Sequence, residues 1–263
     1  MKSSFQVSVR RSHAVAPEIH ELVLEHHWAM AKAQPGQFVH LSATHALDPF
    51  LRRPMSISSV AEDGSWSVLF RVKGVGTEAL ASLQEGASLD VLGPLGHGFE
   101  LPQPQKQPLL VGGGLGAAPL VFLAQRMHSL GWRPHVLLGF STGAEVICVD
   151  AFEALALDTE VATDDGSWGQ CGPVTFLLQT WQGSGPVYTC GPLHMMHAVV
   201  EWCRRRGLSC QVSLEERMAC GVGACLSCVC PIRPTGSEEW SWQRVCREGP
   251  VFDGLEVAFD VMC

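Results

Sequence analysis

No window of the 263-residue sequence holds the roughly 18 uninterrupted apolar residues that a membrane span requires, so no segment is expected to insert directly into a bilayer. Basic residues are scarce as well. The 18 Lys and Arg against 26 Asp and Glu leave a net charge of −8, which argues against nucleic acid or an anionic membrane as the main partner. The start of the chain lacks the basic and apolar regions of a secretory leader. The eleven cysteines, an odd number, therefore read as thiols of a reducing compartment, the cytoplasm, rather than as a disulfide framework. What remains is 46% hydrophobic and 17% charged, the balance of a soluble globular protein long enough for two or three small domains.

Four of those cysteines carry the most specific pattern in the chain. Cys220, Cys225 and Cys228 follow a C-x4-C-x2-C spacing, and Cys246 returns after 17 intervening residues. Three thiolates on one glycine-containing loop and a fourth from a later turn suit a plant-type [2Fe–2S] cluster, in which each iron takes two sulfur ligands. Gly221 and Gly223 let the loop curl and aim its N–H groups at the sulfurs. A structural zinc site would use the same four sulfurs, but its usual spacing is paired C-x2-C knuckles. Cys230 is a substitute ligand or a packing residue, and its spacing favours packing. Trp240 and Trp242, between Cys228 and Cys246, either shield the cluster or anchor a subunit interface.

Upstream, alternation predicts six strands at Phe5 to Val9, Ile19 to Leu24, Phe38 to Ser42, Met55 to Ser59, Trp66 to Val72 and Ser88 to Leu92, with a hairpin turn at Asp63-Gly64. Six short strands with little helix imply a closed antiparallel barrel. Arg52-Arg53-Pro54-Met55-Ser56 suits a phosphate grip beside a planar ring, or is only a solvated strand end. Gly74-Val75-Gly76-Thr77 precedes a helical run from Glu78 to Leu83 with Thr77 as its expected N-cap, either a pyrophosphate site or an ordinary capped helix. Gly93 to Phe99 reads as a glycine-rich loop and Leu101 to Pro108 as a domain boundary.

Pro108 to Val111 reads as a strand, running into Gly112-Gly113-Gly114-Leu115-Gly116-Ala117 and then a helix, Leu120 to Ser129. That context gives the G-x-G-x-x-A string, Gly112, Gly114 and Ala117, the meaning of a dinucleotide turn. Strands at His135 to Phe140, Glu160 to Thr163, Pro186 to Thr189 and Ser209 to Leu214 alternate with helices near Ala151 to Leu157, Pro173 to Thr180 and Leu193 to Arg206. The alternation implies a parallel sheet with a dinucleotide at its carboxyl edge. Cys190-Gly191-Pro192 closes one strand, where Cys190 is either a flat seat for a nicotinamide or a buried structural thiol. Arg204 to Arg206 reads as a solvated helix end. The expected fold is multi-domain: a flavin-type barrel over 1–101, an α/β nucleotide-binding domain over 102–212 and a small iron–sulfur domain over 213–263.

In that order these parts resemble the ferredoxin–NADP reductase superfamily, and more narrowly the electron-transfer subunits of the NAD-dependent dihydroorotate dehydrogenases of pyrimidine biosynthesis. The likeness spans the chain, and its most diagnostic segment is Leu214 to Cys225 leading to Cys228. It implies FAD held by Arg53, Pro54, Met55 and Ser56 and by Leu69, Phe70 and Arg71, with its pyrophosphate at Gly76 and Thr77. It also implies NAD at Gly112, Gly114, Gly116, Cys190, Gly191 and Pro192. Met55 and Phe70 stand where tyrosine is frequent in the wider superfamily. The implied partner is an FMN-containing catalytic subunit in a heterotetramer of two of each, with electrons passing from that FMN through the cluster and FAD to NAD⁺. No Arg awaits a 2′-phosphate in Ser141 to Glu145, which tilts the choice to NAD. Alone the chain is expected to show only NADH-oxidising diaphorase activity. The alternatives are a like subunit of a hydrogenase, a sulfite reductase or an NADH–ferredoxin transhydrogenase, or a zinc-stabilised binding module without redox chemistry.

Overall fold

The structure, a computed structural model, describes residues 3–42, 49–101 and 106–262. Six strands, β1 (Ser3–Ala16), β2 (Ile19–Leu24), β3 (Phe38–Leu41), β4 (Arg53–Val60), β5 (Trp66–Arg71) and β6 (Ser88–Leu95), close into an antiparallel barrel in the order β1-β2-β5-β4-β3-β6. All six expected strands are present. The stretch from Gly93, expected as loop, instead carries β6 on to Leu95, because the Leu95 side chain is completely buried opposite Phe38. Alternation along β3 decides what meets what: Val39 and Leu41 fill the barrel with Leu22, Ile57 and Val68, while Phe38 and His40 point outward.

The first helix, α1 (Val75–Ala81), starts earlier than expected, and Thr77 is not its N-cap. Gly74 takes that position, and the Thr77 hydroxyl reaches back to accept the N–H groups of Lys73 at 2.9 Å and Gly74 at 3.2 Å. The hydroxyl satisfies N–H groups behind it rather than ahead of it, which is why the helix gains its first turn.

Beyond the barrel run β7 (Leu109–Gly113), α2 (Ala117–Ser129), β8 (His135–Phe140), α3 (Val149–Glu153), β9 (Thr159–Thr163), β10 (Gln170–Cys171), α4 (Thr175–Thr180), β11 (Val187–Cys190), α5 (Leu193–Arg206) and β12 (Cys210–Ser213). The expected helix to Leu157 stops at Glu153, and the chain is already turning where Ala156 takes a left-handed φ of 53°. A hairpin of β13 (Val229–Ile232) and β14 (Ser241–Arg244) follows, then β15 (Val251–Asp253) and a last turn, α6 (Phe259–Met262). The main sheet has the order β10-β9-β8-β7-β11-β12-β15, parallel throughout except for β15. The C-terminal segment therefore lends an edge strand to the nucleotide-domain sheet. Of the expected first boundary, residues 102–105 lie outside the described residues.

The first two turns of α2, Ala117 to Ala124, are apolar all round and buried on both sides. Leu120, Leu123 and Met127 pack on the sheet, while Phe122 enters the barrel core. The Ser58 hydroxyl on β4 donates to the Ala118 carbonyl at 3.2 Å, so barrel and sheet meet along the start of this helix.

Candidate redox site

A cavity of about 240 Å³ opens where barrel, α2 and the segment after β12 meet. Pro54, Met55 and Ser56 of β4 and Leu69, Phe70 and Arg71 of β5 form one wall, and Pro119, Leu214, Glu215 and Met218 face them. Six of the residues assigned to FAD are thus side by side. Arg53 is not in this wall. Its guanidinium lies against Gly76, donates to the Leu51 carbonyl and joins the start of α1, so a Cβ on Gly76 would displace it.

A second cleft, about 650 Å³, lies at the carboxyl edge of the sheet, lined by Gly113 to Gly116, Gly191 and Pro192. Gly112 is behind it, where a Cβ would meet Leu138 and the Ala117 backbone, so its smallness serves strand–helix packing. Gly116 brings its turn onto the backbone of Cys190 and Gly191. The Cys190 thiol itself is buried and faces Ser213, and burial pushes its pKa up. The structure therefore offers Gly191 and Pro192 to a ligand in the cleft and sets Cys190 beneath them.

Arg71, Leu115, Leu214, Glu215 and Glu216 line both cavities, which makes them one continuous groove. Arg71 reaches Glu18 at 3.4 Å and, across the groove, Glu145 at 3.8 Å. Glu215 is exposed on the groove, and the protein atoms crowded around it partly desolvate its carboxyl and raise its pKa. Sequence reasoning did not single out Glu215 or Glu216 as site residues. The available signal was an acidic pair directly after a strand, at the carboxyl edge where ligands bind.

The same segment continues into the cysteine loop. The four cysteines fall into two neighbouring pairs, Cys220 with Cys225 and Cys228 with Cys246. The hairpin explains the return of the fourth. β13 begins one residue after Cys228 and β14 ends two before Cys246, so the register Val229 opposite Arg244 lays the two cysteines side by side. The Cys246 N–H donates to Cys228 Sγ at 3.4 Å, and the Ala224 N–H to Cys220 Sγ at 3.3 Å. Burial works to raise the Cys220 thiol, but the N–H groups of Val222, Cys225 and Ala224 and the Cys225 thiol outweigh it and bring it down to about 6. Burial first, and then the Cys228 thiol, push Cys246 up to about 12. Arg244 locks the arrangement by donating to the Gly223 carbonyl at 2.9 Å and to Glu248. Cys230 turns into the core, completely buried, which fits a packing role. Trp240 and Trp242 pack edge to face, 4.9 Å apart and 38% and 56% exposed, so they stand on the surface.

A family model described as the iron–sulfur cluster binding domain of dihydroorotate dehydrogenase B matches residues 215–258. The chain is 42% identical over 247 residues to the dihydroorotate dehydrogenase B (NAD(+)), electron transfer subunit of Bacillus mycoides (strain KBAB4), covering 92% of this chain and 94% of that one. The chain belongs to the family of these electron transfer subunits. The Geobacillus thermodenitrificans (strain NG80-2) member is likewise 42% identical over 256 residues, 96% of this chain and 97% of its own. Among solved structures, a chain of an NADH-dependent reduced ferredoxin–NADP oxidoreductase superposes with a TM-score of 0.85 at 28% identity, covering 99% of this chain and 92% of that chain.

The residues present fit the family's cofactors. Two thiol pairs are what two irons take, whereas one zinc ion draws all four sulfurs to a single point. The groove joins an apolar-walled cavity beside a strand proline to a glycine turn at a sheet edge, the setting for a flavin next to a dinucleotide.

Proposed function

We propose that this chain links an FMN-containing dihydroorotate dehydrogenase catalytic subunit to NAD⁺, so that dihydroorotate and NAD⁺ become orotate, NADH and a proton. The observation that carries the reading is the continuity of one segment. Leu214, Glu215, Glu216 and Met218 form the groove wall, and the cysteine loop starts two residues later. Held in these sites, FAD would supply hydride exchange with the nicotinamide and a [2Fe–2S] cluster single-electron exchange, which would join a one-electron carrier to a two-electron acceptor.

The chain's own residues do the holding. Pro54, Met55 and Ser56 with Leu69, Phe70 and Arg71 seat the flavin ring, and Arg53 with Gly76 and Thr77 meets its pyrophosphate. Gly114, Gly191 and Pro192 bring backbone to the nicotinamide nucleotide, Gly112 and Gly116 hold the turn in shape, and Cys190 supports the strand end beneath it. Cys220 with Cys225 holds one iron, and Cys228 with Cys246 the other. Glu145 and Asp164 in the cleft wall disfavour a 2′-phosphate and so select NAD over NADP.

The chain works in the cytoplasm, in a heterotetramer with two catalytic subunits. The described residues include no helix long and apolar enough to cross a membrane. Co-expression with the FMN-containing subunit tests the reading: the complex should form NADH from dihydroorotate, and the chain alone should reduce a dye from NADH but not turn over dihydroorotate. Inactivity of a fully loaded complex would overturn it. The partner of a transhydrogenase is the second reading, favoured by the 0.85 TM-score, and the same preparation assayed with reduced ferredoxin separates the two.

A further inference from the structure

His40 is the one side chain among the described residues with two buried polar atoms that lack a hydrogen-bond partner, both of them ring nitrogens. A buried donor without an acceptor is destabilising, and a leucine of similar size would avoid the cost. The imidazole therefore keeps hydrogen-bonding capacity that no protein group here takes up.

The ring's surroundings say which one. On β3, Phe38 turns to the flavin groove, and His40, two residues on, turns the same way and is covered by the cysteine loop. The nearest atoms to a Cβ built on Gly221 are His40 Cε1 at 2.7 Å, Nδ1 at 2.8 Å and Nε2 at 3.0 Å, so the polar edge of the ring faces the residue directly after Cys220. Gly221 has a φ of +67°, and its missing side chain makes the room. The position is fixed from behind. Arg52 donates to the His40 carbonyl at 3.4 Å and is held by Asp90 at 3.0 Å.

We propose that His40 donates its ring N–H to a sulfur at the Cys220 end of the [2Fe–2S] cluster and thereby raises the cluster's reduction potential. This rests on reading the cysteine loop as a [2Fe–2S] site. The reduced cluster carries one more negative charge than the oxidised one, so a donor N–H favours the reduced state.

The test uses anaerobically purified holoprotein, with iron and acid-labile sulfide counted first. In an EPR-monitored potentiometric titration His40→Leu should shift the oxidised-to-reduced ratio at a fixed poise by about tenfold toward oxidised, about 59 mV for a one-electron couple. His40→Gln, which keeps an N–H donor, should recover part of the shift. Wild-type protein carrying ¹⁵N-histidine should show a histidine nitrogen coupled to the cluster spin in pulsed EPR, a readout that stands even where the Leu variant fails to assemble a cluster. A cluster-bearing Leu variant at the wild-type potential, or labelled wild type without nitrogen coupling, would overturn the proposal and leave the cluster reading intact. Wild type free of iron and sulfide would overturn both.

Discussion

Gly116 is buried with the backbone of Cys190 and Gly191 where its side chain would be, and that peptide offers no flexible atom to move. Gly116→Ala should cost about 1–3 kcal/mol through overpacking, read as a lower thermal midpoint, and should raise the KM for NADH because the turn shifts. Tyr188, the single tyrosine, is fully buried, with its hydroxyl donating to the Glu100 carbonyl at 3.4 Å. Burial pushes its phenol up to about 12 from an ordinary value of 10. The unfolded chain ionises first, so this group's contribution to stability is complete below pH 10 and is lost as the pH rises toward 12. Ultraviolet titration of the native protein against Tyr188→Phe as a blank should show no phenolate near pH 10 and should show it there after unfolding. Phenolate appearing near 10 in the native state would contradict the burial.

At the level of the element, the end of α5 is more than a solvated cationic run. Gly207 closes the helix with a left-handed φ of 64°, and Arg206 lies 4.7 Å from the centre of the Trp202 ring. It also donates to the carbonyls of Trp181 and Gly183. Arg206→Ala should cost about 1–2 kcal/mol by chemical denaturation, and Arg206→Lys should recover only part, since an ammonium lacks the planar face. The β13–β14 hairpin sets the position of Cys246 by register alone. Deleting Gln243 shifts that pairing by one residue and turns Cys246 away from Cys228, so labile sulfide and visible absorbance should be lost while bound flavin persists.

At the scale of the whole molecule, Val222, Leu226, Trp240 and Trp242 leave apolar surface exposed on the cluster segment. Exposed tryptophans are typical anchors of a subunit interface. The double variant Trp240→Ala/Trp242→Ala should weaken association with the catalytic subunit about tenfold or more by calorimetry. NADH-dependent dye reduction by the chain alone should stay at the wild-type level, because both side chains are on the hairpin and outside the groove wall. An equal fall in both assays would point instead to damage at the cluster.

The cysteine spacing, the strand–glycine–helix turn and the six alternating strands are local patterns, and local patterns are written in the order of residues. They determined the barrel and the parallel sheet. Thr77 shows the limit: its type and place in the sequence are those of a cap, but which N–H groups it satisfies depends on where the chain turns. The pairing of Cys228 with Cys246, the loan of β15 to the sheet, the placing of Cys190 behind its own glycine and the approach of His40 to Gly221 all join residues far apart in the chain. Only tertiary packing decided them, because closing such distances takes burial summed over many side chains, which no short stretch of sequence contains.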